Sequence, residues 1–418
     1  MDMEMRRQAD QIIHAAIREV MPDAAVARAL EDVEFPGRVI LVAAGKAAWQ
    51  MAKAAWDCLG GAIDSGIVIT KYGHVRGPVG HLVCLEAGHP VPDKNTFAAT
   101  RKALKMVSGL EAKDTVLFLL SGGGSALFES PRIPGAELQA ITEQLLASGA
   151  DIVQINTIRK RLSWVKGGRF AQAAAPARVF SIVLSDILGD PVDMIASGPA
   201  APDSSTCVQA KQIARRFGLL LSDAARTCLE EETPKELTNV TTRVTGSVRE
   251  LCRAARDAAG ELGYEARILT DHLDCQAREA GEWLGALARK HAAGSGKLAL
   301  IAGGETVVKL TGSGKGGRNQ ELALAAAPAI QGLEGVCVFS LGSDGTDGPT
   351  DAAGGYADGE TAQAVEKAGL DIGEILHNND AYHALEAVGG LIKTGPTGTN
   401  VNDVAVVLLD RRRSHGTA

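Results

Sequence analysis

The chain has 418 residues and a net charge of −7, with 45% hydrophobic and 22% charged residues. A chain of this length is expected to form two or three domains, and the composition is typical of a soluble globular protein. The acidic balance and the aromatic content of only 4% argue against a nucleic-acid-binding surface, which needs a basic face and stacking rings. They do not exclude small anions, which need only a local pocket.

The cysteine pattern and the N-terminus indicate where the protein functions. Seven cysteines are scattered without a C-x-x-C pair, so neither a disulfide framework nor a zinc site is expected. The first residues lead into an amphipathic helix and do not form a signal-peptide pattern. No apolar run approaches the length of about 20 residues that a membrane-spanning helix needs. We therefore expect a cytoplasmic protein that does not bind membranes.

Apolar periodicity predicts strands and helices in alternation along the chain. The predicted strands are 39–44, 66–70, 82–85, 116–120, 179–184, 266–270, 298–302, 306–310, 336–341 and 404–409. The predicted helices are 4–20, 22–30, one ending at 59, 94–109, 135–148, 206–217, 222–231, 247–260, 274–292, 318–327, 358–369 and 379–387. This alternation predicts α/β layering in both halves.

The polar segment 232–243 is the expected crossing between domains. We predict an N-terminal domain at 1–240 and a C-terminal domain at 298–418. The connecting βα segment, 241–297, could pack with either half.

A glycine-rich loop follows one of the buried strands. Residues 121–125 read Ser-Gly-Gly-Gly-Ser and come directly after the apolar run 116–120. Glycines let a ligand approach the main chain closely, and successive N–H groups in such a loop can bind an anion. The alternative is a tight strand-to-helix turn without a ligand.

Similar loops follow other predicted strands, where ligands bind in open α/β sheets. The loops are Gly45-Lys46, Ser121 to Ser125, Ser185-Asp186, Gly303 to Glu305, Gly312 to Arg318 and Ser343 to Gly348. Cationic, glycine-rich and acidic loops together are typical of phosphate and metal binding, because Mg²⁺ prefers oxygen ligands and phosphoryl transfer needs cationic groups.

Four candidate segments have qualifications or alternative interpretations. The glycines of 312–317 match G-x-G-x-x-G, but the acid expected about 20 residues later is not at a clear strand end. Arg318 is expected to face a ligand, with a solvated first helical turn as the alternative. The acids of 344–351 are metal candidates or an Asx-turn loop. The basic residues of 156–169 are ligand-binding candidates or a solvated helix face.

Several motifs together resemble the type II glycerate kinases, the family with a C-terminal MOFRL domain. The matching stretches are 44–47, 88–93, 120–127, 156–168, 185–191, 195–199, 303–305, 316–321, 342–349 and 394–403. The resemblance spans nearly the whole chain, in order. It implies a Rossmann-like N-terminal domain, a smaller α/β C-terminal domain and an active site in the cleft between them. It also implies phosphorylation of D-glycerate by ATP, at the 2-hydroxyl, with a divalent metal such as Mg²⁺.

The resemblance and the loop chemistry together assign candidate roles. Lys46 and Arg318 match residues regarded as active-site residues in the family, and Asp186 is a candidate base or metal ligand. The phosphate- and substrate-binding candidates are Ser121, Gly122, Gly123, Gly124, Ser125, Arg159, Lys166, Glu305 and Asn319. The metal candidates are Asp190, Asp344 and Asp347.

Two other functions are compatible with parts of this pattern. An NAD(P)H-dependent hydroxypyruvate reductase would use the glycines of 312–317, and relatives of the family have carried that name. A non-catalytic sensor of a phosphorylated metabolite would use the glycine-rich loops alone. The partners expected for the kinase are D-glycerate and a nucleotide, without nucleic acid, and the chain could form a homodimer.

Overall fold

Each of two units of the chain is built on its own six-stranded β-sheet. The computed structural model describes residues 2–412. One unit comprises residues 22–185 and 190–245, and the other comprises 2–21, 186–189 and the described residues from 246 onward. The chain therefore leaves the first unit twice, at Asp186–Gly189 and again near Gly246.

The strands alternate with helices in both units, as expected for α/β layering. The strands are β1 Val39–Ala44, β2 Ser65–Lys71, β3 Val83–Ala87, β4 Thr115–Leu120, β5 Arg178–Leu184, β6 Val240–Gly246, β7 Glu265–Leu273, β8 Lys297–Gly304, β9 Val336–Gly342, β10 Gly354–Asp358, β11 Leu391–Ile392 and β12 Asp403–Asp410. The helices are α1 Met3–Glu19, α2 Pro22–Leu30, α3 Ala48–Leu59, α4 Lys94–Val107, α5 Gly124–Leu127, α6 Gly135–Ala147, α7 Ile152–Arg161, α8 Arg169–Ala174, α9 Cys207–Arg216, α10 Asp223–Cys228, α11 Val248–Glu261, α12 Ala277–His291, α13 Arg318–Ile330, α14 Thr361–Lys367, α15 Ile372–His377 and α16 Ala381–Ala387.

The first sheet has the strand order β3-β2-β1-β4-β5-β6, and the pairs from β3 to β5 are parallel. Every residue of β1 and β4 is buried, which explains their uninterrupted apolar sequences. The order of strands reverses between β1 and β4, as in doubly wound nucleotide-binding folds. The Rossmann-like expectation is confirmed.

Apolar side chains on both faces of the first sheet hold its helices. On one face, α2 and α3 pack against β1, β4 and β5. On the other, the rings of Phe118, Phe128 and Phe170 lie 4.7–5.4 Å apart between centroids. The two central strands, β1 and β4, are thus held by packing on both faces of the sheet.

The second sheet is mixed, with the order β11-β10-β9-β12-β8-β7. Only β7 and β8 pair in parallel, and the other pairs are antiparallel. β12 lies between β8 and β9, so that Asp403 at its start is in register with Gly304 and Gly342 at the ends of its neighbours. This arrangement brings three chain segments together at one edge of the strands.

The first helix packs with the second sheet and not with the first. Apolar residues of α1, including Ile12 and Ile13, share a core with α11, β9 and β12. The predicted N-terminal domain of 1–240 therefore differs from the observed unit, because residues 2–21 join the other unit. The undecided segment 241–297 lies mainly in the second unit through α11, β7 and α12.

Some predicted elements differ from the observed ones. The strand predicted at 306–310 is wrong: only Val307 there makes a bridge, to Gln276. Strands β6 and β10 were not predicted, and the segment 232–243, taken as the crossing, contains the start of β6. None of the helices within residues 2–412 is long and apolar enough to cross a membrane.

Candidate functional site

Lys46 and the glycine-rich loop lie side by side at the point where the strand order of the first sheet reverses. Lys46 follows β1 and Ser121 follows β4. The Lys46 N–H donates to the Gly122 carbonyl at 2.9 Å, and the Ala47 N–H donates to Ser121 Oγ at 3.1 Å. Parallel neighbours end at the same edge of the sheet, so the two loops meet where ligands bind in such folds.

The close contact of these loops requires a glycine at position 45. Gly45 has a φ of +126°, and a Cβ there would lie 2.2 Å from Ser121 Oγ. Any side chain would therefore separate the two loops, and the backbone angle would be strained as well. The sequence Gly45-Lys46 thus places the lysine next to the loop.

The loop of residues 121–125, which we call the anion loop, has unused backbone donors. Gly123 has a φ of +83° and precedes the single helical turn α5. No acceptor within residues 2–412 takes the N–H groups of Gly122, Gly123 or Ser125. Donors without protein acceptors are available to an anionic ligand. The predicted strand–loop–helix arrangement is present.

The Lys46 side chain is half-buried beside this loop. Its ammonium group forms no ion pair with any carboxylate among the described residues. A positive charge next to unused N–H groups, without an acidic neighbour, favours binding of an anion.

Arg159 and Lys166 lie beneath the anion loop and bind its main chain. The Ser125 carbonyl accepts hydrogen bonds from the Arg159 guanidinium at 3.1 Å and from the Lys166 ammonium at 2.9 Å. Lys166 is fully buried, and its Nζ also lies 3.5 Å from the buried Glu129 carboxylate. Lys166 therefore supports the loop through its backbone, and its predicted role as a binding residue stays a prediction.

Burial determines the charge behaviour of this pair of cations. Burial lowers the pKa of Lys166 to about 8, although the negative charge of Glu129 opposes the change. Burial also lowers the pKa of Arg159. Neither Glu129 oxygen has a hydrogen-bond partner within the described chain. The position of Lys166 beneath the loop thus depends on an ion pair with Glu129 that is buried away from water.

The other basic residues of 156–169 are not a solvated helix face. Lys160 and Arg161 are buried, and the Lys160 ammonium lies 3.1 Å from Asp203. Arg161 donates to Ser205 and Glu232, and Arg169 pairs with Glu231. The density of cations in this segment therefore reflects a buried ion network that joins α7 to later loops.

Two predicted acids follow β5. Asp190 belongs to the first unit and has a φ of +53°, and its Oδ1 is buried without a hydrogen-bond partner among residues 2–412. Asp186 is assigned to the second unit, where its carbonyl accepts a hydrogen bond from Asn402 Nδ2 at 3.2 Å. The unit boundary between Gly189 and Asp190 therefore places these two acids in different units.

Arg318 forms the centre of a charged cluster in the second unit. It opens α13 and donates from Nε and Nη2 to the two oxygens of Asp403, at 2.5 and 3.0 Å. Its Nη1 donates to Glu305 at 2.8 Å, and the other Glu305 oxygen accepts from Asn402 at 3.1 Å. Asp403 pairs with Gly304, the residue before Glu305, so the pairing of β8 and β12 brings both acids to the same guanidinium.

The cluster perturbs both members of the central pair. Burial acts against the charge on Arg318, but hydrogen bonds and charges from Asp403 and Glu305 prevail and raise its pKa. Burial raises the pKa of Asp403 to about 6, although Arg318 opposes the rise. Arg318 therefore remains charged, held by a carboxylate that is largely removed from water.

Two predicted site residues, Asp347 and Asn319, are hydrogen-bonded to each other. The buried Asp347 carboxylate accepts from the N–H groups of Asn319 and Gln320, at 3.2 and 2.9 Å, at the start of α13. It also accepts from Asn319 Nδ2 at 3.3 Å. Burial raises the pKa of Asp347, and these donors oppose the rise. The carboxylate satisfies the helix N-terminus, which leaves it poorly placed as a metal ligand.

Asp344 forms the Asx turn that was the alternative for its loop. Its Oδ1 accepts from the N–H and hydroxyl of Thr346, at 2.9 and 3.0 Å. Within residues 2–412, no group of three or more His, Cys, Asp or Glu side chains is arranged to hold a metal ion.

A cavity of about 750 Å³ adjoins Arg318 in the second unit. Its lining includes the glycines of 312–317, Asp344 and the exposed apolar side chains of Val307 and Leu310. This volume is within the range of ordinary small-molecule sites. The segment predicted as strand 306–310 thus forms part of the cavity wall.

Three polar residues at these sites were not among the predicted candidates. They are His89, Asn402 and Asp403. All three lie in motifs that carry the family resemblance, which is a signal in the sequence that pointed to them. Asp403 also opens a buried strand, so that position at a strand start could have indicated it.

The two sheets and the loop at the reversal of strand order define a two-unit α/β protein with a candidate anion site. The family described as "Domain of unknown function (DUF4147)" matches residues 8–230, and the MOFRL family matches residues 298–403. The chain belongs to the type II glycerate kinase family, which combines these two domains.

Known proteins resemble the chain over nearly its full length. A D-glycerate 2-kinase from Thermotoga maritima is 51% identical, with 97% of this chain and 98% of that protein covered. A crystal structure of glycerate kinase from the same organism has a TM-score of 0.93 and 50% identity, and it covers 97% of this chain and 99% of that chain. A putative hydroxypyruvate reductase from Agrobacterium vitis is 39% identical, with 98% and 95% covered.

Proposed function

We propose that this protein transfers the γ-phosphoryl group of ATP to the 2-hydroxyl of D-glycerate, forming 2-phospho-D-glycerate and ADP. The similarity to a D-glycerate 2-kinase over 97% of the chain supports the substrate and the hydroxyl position. The observation in the site that carries the proposal is the unpaired Lys46 ammonium beside the anion loop. Both the carboxylate of glycerate and a nucleotide phosphate suit such a site.

Each residue of the anion-loop region has a defined part in this proposal. The loop Ser121 to Ser125 binds an anionic oxygen through its unused N–H groups, and Lys46 neutralises charge on the transferring phosphoryl group. Arg159 and Lys166 hold the loop through the Ser125 carbonyl and do not act on the substrate directly. This arrangement is compatible with a reaction in which positioning and charge stabilisation provide most of the catalysis.

The residues of the second unit supply the other part of the proposal. Arg318 acts on the same phosphoryl group as Lys46, and Glu305 with Asp403 fixes the direction of its guanidinium. Asp186 is the candidate base or metal ligand, and Asn319 stabilises the start of α13 next to Arg318. The shared site that this requires, in a cleft between two domains, stays a prediction.

Kinases use Mg²⁺ to bridge phosphate oxygens, and this ion needs only one or two protein carboxylates. Among the predicted ligands, Asp190 fits best, because its buried Oδ1 has no hydrogen-bond partner within residues 2–412. Asp344 is engaged in a turn, and Asp347 is engaged by α13. Asp190 would therefore hold the ion, which would neutralise phosphate charge when bound.

The first experiment is ³¹P NMR of the purified protein with ATP, Mg²⁺ and D-glycerate. We expect a new phosphomonoester signal whose coupling pattern identifies the 2-phosphate. A coupling pattern of the 3-phosphate would reject the hydroxyl assignment but keep the kinase. ATP that remains intact in the presence of folded protein would reject the kinase.

The reductase alternative rests on the glycines of 312–317 and on the names of two relatives, and a direct assay separates it from the kinase. Oxidation of NADH in the presence of hydroxypyruvate would support the reductase. Metal-independent binding of a phosphorylated metabolite without turnover would support the sensor. A cytoplasmic location and a homodimer stay predictions, which fractionation and light scattering can check.

A further inference from the structure

His89 lies beside both the anion loop and Lys46. A Cβ built on Gly123 would be 3.0 Å from Cδ2 and Nε2 of His89 and 3.1 Å from Cγ of Lys46. The imidazole, the lysine stem and the loop backbone therefore meet around one glycine. A side chain at position 123 would collide with both residues, so the glycine keeps this space open.

The imidazole is available to a ligand. His89 is half-buried, and neither of its ring nitrogens forms a hydrogen bond with any residue of the described chain. Its neighbour His74, by contrast, is bonded to the Lys46 carbonyl through Nδ1 at 3.1 Å. A partly buried histidine without a protein partner, next to a candidate anion site, has the position expected of a group that contacts substrate.

The surroundings of His89 favour its neutral form. Burial lowers its pKa from the ordinary value of 6.5, and the positive charges of Lys46, Lys71 and His74 lower it further. The two nearest carboxylates along the chain are engaged elsewhere: Glu86 accepts from the Val75 N–H, and Asp93 accepts from Tyr72 and from the start of α4. The imidazole therefore keeps a free lone pair at neutral pH, which a proton acceptor needs.

We propose that His89 is the residue that accepts the proton of the substrate hydroxyl, and this assignment rests on the proposed glycerate kinase function. The hydroxyl O–H bond breaks and its proton moves to Nε2, while the hydroxyl oxygen bonds to the γ-phosphorus of ATP. The bond from that phosphorus to the β–γ bridging oxygen breaks, and its electron pair leaves with ADP. His89 then releases the proton to water, which restores the enzyme.

His89→Asn and His89→Gln test this role, because both retain a polar side chain that cannot act as a base. We expect kcat at pH 7 to fall about 100-fold or more, the lower end of the range for general bases, with KM for ATP nearly unchanged. In the unsubstituted protein, kcat should fall as the pH drops through the lowered pKa of His89, below 6.5. The variants should lack this acidic limb.

His81→Asn is the matched control. His81 belongs to the same unit and is exposed, and its ring packs on Trp56 with the centroids 4.9 Å apart. We expect its kcat and pH profile to equal those of the unsubstituted protein. Circular dichroism and melting temperature show whether each variant is folded.

A second comparison uses the other candidate base. Asp186→Asn should lower activity but keep the acidic limb that belongs to His89. Loss of that limb in Asp186→Asn and its persistence in His89→Asn would overturn the assignment.

Two further results would also overturn it. One is a kcat of His89→Asn within about threefold of the unsubstituted value, because this decrease is far smaller than the one expected from losing a base. The other is a change confined to KM for glycerate. If the unsubstituted protein forms no phosphoglycerate, the kinase function fails and the assignment fails with it. If that protein is active and His89→Asn is equally active, only the role of His89 fails.

Discussion

The two cations proposed for catalysis have opposite surroundings. The Lys46 ammonium has no carboxylate partner within residues 2–412, and it lies next to N–H groups that are also unused. Arg318 directs three of its five N–H groups to Asp403 and Glu305. One region therefore offers uncompensated positive charge, whereas the other holds a compensated charge in a fixed direction.

The difference separates what each cation contributes. A lysine without a partner contributes little to the folded state, so its substitution should affect ligand binding and turnover alone. An arginine on a buried carboxylate contributes to both, because its removal leaves Asp403 buried and unpaired. Stability and activity, measured together, can thus distinguish the two regions.

The largest effect on stability is expected beneath the anion loop, where a cation is buried as a pair. Lys166→Met should lower the free energy of unfolding by about 3–5 kcal/mol, because Glu129 is left buried and charged. Urea unfolding measures this. Lys113→Met is the control, since its exposed pair with Glu111 is expected to contribute less than about 1 kcal/mol.

The same pair predicts a dependence on alkaline pH. The folded pKa of Lys166, about 8, is below its ordinary value of 10.5, so the unfolded chain binds more protons between these two values. Stability from this group should therefore rise with pH across that interval. Lys166→Met/Glu129→Gln should lack the rise and recover part of the lost stability. An unchanged pH profile in this double variant would reject the buried pair.

The next effect is on activity and compares the two cations directly. Lys46→Ala and Arg318→Ala should each lower kcat by about 10²–10³, or about 3–4 kcal/mol, as for donors in oxyanion sites. Lys46→Ala should keep the melting temperature of the unsubstituted protein. Turnover close to the unsubstituted value in both variants would show that neither cation acts on the phosphoryl group.

The effect of Arg318→Ala on stability is expected to be smaller. Loss of the bonds to Asp403 should cost about 1–3 kcal/mol at pH 7, because the buried carboxylate loses its ion-pair partner. Asp403 already has a raised pKa, and removal of Arg318 should raise it further. The folded variant then binds a proton that the unfolded chain does not, so the deficit should narrow as the pH falls from about 7 to 5.

The double variant Arg318→Ala/Asp403→Asn provides the matched control, because it contains no buried charge at this position. It should be more stable at pH 7 than Arg318→Ala, and its free energy of unfolding should lack the pH dependence that the Asp403 carboxyl contributes in this range. Equal stability of the single and double variants would show that the loss of stability in Arg318→Ala does not come from the buried charge of Asp403.

The smallest effect concerns Asp347 and tests whether it is a helix cap or a metal ligand. Asp347→Asn removes the charge that accepts from the start of α13, and a lost cap costs about 1 kcal/mol. If Asp347 only stabilises the helix, the requirement for Mg²⁺ should not change. A large increase in the Mg²⁺ concentration needed for half-maximal activity would instead support Asp347 as a metal ligand.

Local sequence was enough to predict the strands whose residues are all buried. β1 and β4 are continuous apolar runs, and the loops that follow them could be found by reading the residues after each run. The segment 306–310 has β-branched residues but no adjacent strand beyond one bridge, so pattern alone failed there. β10 begins with two glycines, and its state depends on pairing with β9.

The candidate site was predictable for side chains that act where they lie in the sequence. Lys46 and the anion loop are examples. The position of Lys166 beneath the loop depends on carbonyls up to 41 residues away, and no spacing reveals that it is buried. Asp347 likewise binds the start of a helix 28 residues earlier, which converts an acidic loop motif into a cap.

The first helix of the chain has a consequence for how the protein is made on the ribosome. α1 emerges well before the apolar surface that covers it, which begins with α11 and ends with β12. At about 5–20 residues per second, α1 would wait on the order of 10–50 seconds for α11 and longer for β12. During that interval its apolar face is a natural substrate for chaperones, and early folding is confined to the unit that begins at Pro22.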